Sequence, residues 1–309
     1  MRPKNQLPNS RDLRNQSKKG NKYLTLCIAC ECEHEDKEAF VSCCDFQAGK
    51  VSAYGQTLIS SEDVYKMRDF AGFSILISGS ETLADELISL CEEPILRFQS
   101  SPQKREDSDI HITKFLSDLR SACQVRKKKI LDHYVSMKWG FIDHEDFLKR
   151  VKATFTDQHY NQAWTEISQI DLGTELIISG FYDEESVIVR LDQVGNVHWE
   201  THYSVIGAGS DIALAFLCQY DLDELVSLQQ CLYLVLQSKM AAEHNPDVGK
   251  DTAFEIYVDG QKDPFDITDE GFQKLKMLIK LGRFPKSINL GNDFLKPSSS
   301  IETPQPSSQ

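Results

Sequence analysis

The chain has 309 residues, of which 40% are hydrophobic, and a net charge of −13. This is enough apolar material for a buried core and excludes a disordered chain. Residues 1–22 hold seven Lys or Arg against Asp12 alone, a local balance of +6 that leaves −19 for the remainder. A surface that negative repels phosphate backbones, so nucleic-acid binding by the folded part is not expected.

No apolar stretch approaches the length of a membrane span, and the basic leader lacks the hydrophobic block of a secretory signal. A cytoplasmic protein without membrane contact is expected. Residues 1–22 are polar and aperiodic and read as a disordered leader or propeptide. Residues 296–309, rich in Ser and Pro, read as a disordered tail.

In chain order, Leu24 to Cys32 and Ala39 to Asp45 read as a hairpin whose turn is the charged run Glu33 to Glu38. Nine cysteines without an export signal read as reduced thiols. Cys27, Cys30, Cys32 and His34 have the composition of a zinc site. Strand alternation, however, turns Cys27 away from Cys30 and Cys32, which favours buried thiols and no metal. Strands at Val51 to Leu58, Asp63 to Arg68 and Gly72 to Ser78 follow, and the five are expected to share one sheet.

At Ser80, a candidate cap, the period becomes helical through Leu83, Leu87 and Leu90. Pro94 and the polar stretch to Asp109 read as an interruption before a second helix from about Ile110 to Tyr134. Its Arg126 to Lys129 run reads as a solvated face.

Strands at Leu176 to Ser179, Val187 to Leu191, Val197 to Glu200 and Tyr203 to Ile206 come next, with Val194-Gly195-Asn196 as a tight turn. Gly207-Ala208-Gly209-Ser210 opens a helix through Leu217. Leu222 to Ala242 is helical, Ala253 to Val258 a strand and Thr268 to Leu281 a last helix. Two antiparallel sheets, each covered by its own helices, predict an α+β fold arranged as a four-layer α/β/β/α sandwich.

Several pieces in order resemble the proteasome β-subunit and HslV-like N-terminal-nucleophile (Ntn) hydrolases. They are Thr25-Leu-Cys-Ile-Ala-Cys30, Ala39-Phe-Val-Ser-Cys-Cys-Asp45, Asp63-Val-Tyr-Lys66 and Phe73-Ser-Ile-Leu-Ile-Ser-Gly79, then Leu176 to Asp183, Val205 to Ala215 and Asp247-Val-Gly249. The resemblance places the domain at 23–262, with 263–295 as a helical extension. It implies a threonine-type peptidase whose nucleophile is freed by removal of residues 1–24. The terminal α-amine, titrating near pH 8, would serve as base.

Matched residue by residue, the resemblance implies Thr25 as nucleophile, Lys66 as the cation that lowers its proton affinity and Asp45 as the carboxylate orienting Lys66. Gly79 would supply a backbone N–H to the oxyanion. It implies no cofactor, a polypeptide substrate, self-assembly into a ring homo-oligomer, and room for an unfolding ATPase that feeds it. Each residue also has an ordinary reading: a strand threonine, an ion pair at a sheet end, a turn glycine.

The chain departs from the family pattern at Leu24, before the bond to be cut, and at Ala208, where the family has serine between two glycines. Asn245 and Val248 replace an aspartate and a serine, and Gly249-Lys250 replaces a glycine pair. These departures leave open a catalytically inactive ring-forming subunit. A thiol-dependent metal or redox protein is the third class.

Gly207-Ala208-Gly209 lacks the wider pattern of a phosphate loop, and Asp259, Asp263, Asp266 and Asp269 lack the spacing of a calcium loop. His133, His144, His159, His198, His202 and His244 form no helical metal pair, and there is no Gly-x-Ser-x-Gly elbow.

Overall fold

The computed structural model describes residues 25–45, 48–51, 57–60, 66–101, 108–220, 226–282, 288–291 and 293–298. Leu24, the leader and the tail beyond 298 therefore lie outside the described residues, as do parts of the expected strands at 51–58 and 63–68 and of the expected helix at 222–242.

Strands β1 (Leu26–His34) and β2 (Lys37–Asp45) form the expected hairpin. Its turn is tighter than the charged run suggests. Only Glu35 and Asp36 lie outside the strands, both with positive φ, as a two-residue hairpin turn requires. The short pair β3 (Ala48–Val51) and β4 (Thr57–Ser60) follows, then β5 (Met67–Phe70) and β6 (Phe73–Gly79) around another two-residue turn, Ala71-Gly72.

The expectation of one sheet for this whole series is wrong. β1 and β2 belong to a six-stranded sheet, β5 and β6 to a five-stranded one, and β3–β4 form a two-stranded pair. Local periodicity identifies a strand but does not say which neighbour it pairs with, and the chain changes sheets between Asp45 and Met67.

Helix α1 (Glu81–Gln99) runs through Pro94 rather than stopping there. A proline removes one helical hydrogen bond, and here it is buried with Cys91, Ile95 and Phe98, so packing offsets the loss. Helix α2 (Ser108–Trp139) is longer than its expected range at both ends.

Two helices absent from the expected order follow: α3 (His144–Thr154) and α4 (Asp157–Ser168). Asp143 caps α3 by accepting from the Asp146 amide at 2.8 Å, and Thr156 accepts from the His159 amide at the start of α4. They pack on the far half of α2 through an aromatic-rich cluster of their own, including Val135, Phe141, Phe147 and Ile167.

Strands β7 (Thr174–Tyr182), β8 (Glu185–Leu191) and β9 (Val197–Glu200) complete the five-stranded sheet in the order β5-β6-β7-β8-β9. β10 (Tyr203–Gly207) pairs with β1, and helices α5 (Ser210–Leu217) and α6 (Leu228–Ala242) follow. β11 (Thr252–Val258) pairs with β2. Beyond it lie β12 (Phe265–Ile267), α7 (Asp269–Lys280) and β13 (Leu295–Pro297), giving the sheet order β10-β1-β2-β11-β12-β13. Residues 263–295 thus extend the sheet as well as adding a helix.

Strand alternation sorts the core. In β1, Leu26, Ile28, Cys30 and Cys32 face the cluster that holds α6, whereas Cys27 and Ala29 join Met67, Leu76, Ile177 and Ile188 of the other sheet. In β6, Phe73, Ile75 and Ile77 instead pack with Leu87 and Cys91 of α1 and Phe115 and Leu119 of α2. Residues of both sheets thus share one cluster, while the alternate residues of β1 and β6 join clusters that hold helix residues. Short polar side chains link the two sheets: Ser42 Oγ lies 3.0 Å from Ser74 Oγ, and the Cys27 thiol donates to the Ile77 carbonyl at 3.3 Å.

The Arg126 to Lys129 run is not simply a solvated face. Arg126 is buried and pairs with Glu86 of α1, Lys127 donates to the Val194 carbonyl at 3.0 Å, and Lys128 lies 3.4 Å from Glu145. These three long side chains each have an acceptor outside their own helix.

Candidate functional site

The residue before β1, the last residue of β2 and the residue before β5 converge in the seam between the sheets. Thr25 Oγ1 donates to Asp45 Oδ1 at 3.3 Å, and Lys66 Nζ sits 2.6 Å from the same oxygen. The other carboxylate oxygen, Oδ2, accepts the Gly249 N–H at 2.6 Å. Register explains this: Asp45 ends β2 opposite Thr252 of β11, and the chain entering β11 passes Gly249. Asp45 is fully buried, and Thr25 and Lys66 are exposed by only 3% and 7%.

The resemblance implied that Thr25 and Lys66 lie together, and both touch one oxygen atom. The Asp45–Lys66 pair is buried, so its attraction is barely screened, and the carboxylate that holds it is held in turn by a backbone amide. The Gly249 amide was not anticipated. Nothing short of the β2–β11 register could have shown it.

Gly79, expected as an oxyanion donor, ends β6 with φ +110° and pairs with Thr174. Thr174 Oγ1 donates to the Ser78 carbonyl at 2.9 Å, fixing the peptide that joins Ser78 to Gly79. Gly207, with φ +96°, pairs with Leu26 and touches the Thr25 main chain so closely that no side chain fits there.

The positions that depart from the family pattern are engaged otherwise. Val248 is buried and packs towards Gly209, the left-handed residue before α5. Asn245 is turned into its own bend, its side chain accepting from Asp247 N at 3.1 Å and its carbonyl from Val248 N at 3.0 Å.

The thiols around the site are poor nucleophiles. Burial raises the Cys27 thiol well above its usual range, with a further push from Cys44 that the Lys66 charge only partly counters. Cys44 is pushed up to about 12, again chiefly by burial. A thiol so raised carries almost no thiolate at neutral pH. Cys27 lies between the sheets while Cys30 and Cys32 face α6, as strand alternation predicted. Among the described residues no three His, Cys, Asp or Glu side chains are arranged to hold a metal ion.

The architecture is a mixed α+β fold built on two antiparallel sheets. Among the described residues no helix is long and apolar enough to cross a membrane. Neither protein-family models nor curated proteins give a match to the chain. Among solved structures it is similar to Anbu from Hyphomicrobium sp. strain MC1, at a TM-score of 0.48 and 15% identity. That similarity covers 83% of this chain and 94% of the Anbu chain.

Proposed function

We infer that the protein is a proteasome-like Ntn hydrolase of four-layer α/β/β/α design, a threonine-type peptidase once residues 1–24 are removed. One observation carries the reading: a single buried carboxylate oxygen of Asp45 receives both the Thr25 hydroxyl and Lys66 Nζ. A strand threonine with no chemical task has no need of a buried ion pair beneath its hydroxyl.

In the processed chain the Thr25 α-amine takes the Oγ1 proton as Oγ1 bonds to the substrate carbonyl carbon. Lys66 favours the developing alkoxide, and the Gly79 N–H donates to the oxyanion. Collapse of the intermediate breaks the peptide C–N bond, and the α-ammonium returns its proton to the leaving amine. Water, activated by the same amine, then hydrolyses the ester and restores Thr25. Thr25 is buried in the intact chain, so processing must also open a path to its hydroxyl.

The test uses the full chain. Intact mass and N-terminal sequencing are expected to find Thr25 first, with fluorogenic peptide turnover that Thr25→Ala abolishes and Thr25→Ser retains. A chain that keeps residues 1–24 and shows no turnover refutes the peptidase reading.

A second reading, an inactive ring-forming subunit of the same fold, is favoured by Ala208, Asn245 and Val248. None of the three presents a free polar group to Thr25. Under either reading the protein is expected in the cytoplasm as a ring, with an unfolding ATPase as the partner that feeds the active form. A monomer by sedimentation at micromolar concentration contradicts the ring.

A further inference from the structure

Beside Thr25 lies a polar group that none of the steps above uses. Ser78 is fully buried, and its hydroxyl has no hydrogen-bond partner among the described residues. It flanks the same point as the Thr25 main chain: a Cβ built on Gly207 would meet Ser78 Oγ at 2.8 Å and the Thr25 carbonyl carbon at 2.9 Å.

Across the β6–β7 ladder Ser78 stands opposite Glu175, and directly opposed residues project from the same face with Cβ atoms about 5 Å apart. The Glu175 carboxylate accepts the Gly207 N–H and a bond from Gln193, and burial raises its affinity for a proton. A buried hydroxyl with no partner is costly unless something arrives to bond it.

We propose that the Ser78 hydroxyl, backed by the Glu175 carboxylate, holds the α-amine that cleavage before Thr25 creates. This makes Ser78 and Glu175 positioning residues for the nucleophile, and it rests on the hydrolase reading above. An ammonium offers three donors. Ser78 Oγ accepts one and directs its own proton to Glu175. No proton is transferred to Ser78: the α-nitrogen gains the Thr25 Oγ1 proton during attack and later yields it to the leaving amine. Glu175 offsets the ammonium charge as Asp45 offsets Lys66, so two cations can share one buried site.

The experiment compares full-length wild type, Ser78→Ala and Glu175→Gln. For each, intact mass identifies the N-terminus, kcat and KM are measured across pH, and melting temperature is recorded. Wild type is expected to begin at Thr25. Ser78→Ala is expected to lower kcat about tenfold or more with little change in KM. It should also move the acid limb of kcat/KM to lower pH, because a group that stabilised the ammonium is gone.

With residues 1–24 still attached, Ser78→Ala should melt no lower than the same chain with Ser78, since it removes an unsatisfied hydroxyl. A serine with a merely structural role would instead lower the melting temperature and leave the limb in place. Glu175→Gln should move the limb the same way. An active wild type whose acid limb stays fixed in both variants overturns the proposal and spares the assignment of Thr25. A wild type that neither processes nor turns over overturns the hydrolase reading, and the proposal falls with it.

Discussion

Replacing Gly207 by alanine tests how tightly the start of β1 is held. The backbone there has φ +96°, a conformation that costs a residue with a side chain about 1–2 kcal/mol. The new methyl would lie 2.8 Å from Ser78 Oγ and 2.9 Å from the Thr25 carbonyl carbon, and closer still to the Thr25 carbonyl oxygen. The obstacle is backbone at the entry to a ladder, which cannot swing aside as a side-chain end would, and overpacking of this kind costs about 1–3 kcal/mol. Together they give about 2–5 kcal/mol, a large share of the ~5–15 kcal/mol that holds a typical domain.

In urea unfolding this corresponds to a midpoint lower by about 1 M or more with an unchanged slope. Gly140→Ala is the control, because φ is +71° there and nothing lies within 4 Å of the added methyl. It carries the backbone cost alone, about 1 kcal/mol. Equal midpoints for the two variants, or Gly207→Ala matching wild type, would refute the claim of close approach between Gly207 and Thr25.

Two further outcomes follow from buried groups elsewhere. Glu31 accepts the His202 N–H at 3.2 Å and a bond from Ser186, and it lies near Glu38; burial raises its carboxyl from 4.5 to about 7. A raised carboxyl favours folding below its unfolded pKa and loses that contribution as pH rises through the folded value. Stability should therefore fall by up to about 3 kcal/mol between pH 4.5 and 7 on this account, and Glu31→Gln should flatten the decline. A denaturation series with equal slopes in both proteins would count against it. Of the nine cysteines only Cys218 is exposed. A chromogenic disulfide reagent should thus titrate one thiol rapidly in the native protein and nine after denaturation, whereas several fast native thiols would contradict the burial.

What the sequence revealed depended on the range of the interaction. Strand β1 was readable because burial on both of its faces leaves an unbroken apolar run from Leu26 to Cys30. The Thr25–Asp45–Lys66 meeting was readable only through resemblance, since nothing local joins positions 25 and 66. Sheet membership was not readable: β2 and β6 look alike as isolated strands, and each has one partner in the second half of the chain. The helices at 144–154 and 157–168 were missed although Asp143 and Thr156 are good caps. Their apolar pairs, Phe147 with Val151 and Ala163 with Ile167, are short signals within a charged stretch. Arg126 was misread because a basic run says nothing of the acid waiting on a neighbouring helix.

The aromatic cluster that seats α3 and α4 on α2 shares no residue with the clusters beneath the sheets. Its amide protons can therefore exchange through an opening that leaves Thr25, Asp45 and Lys66 undisturbed. Evolution could likewise lengthen, reshape or delete this outrigger while the Thr25–Asp45–Lys66 cluster at the seam keeps its register.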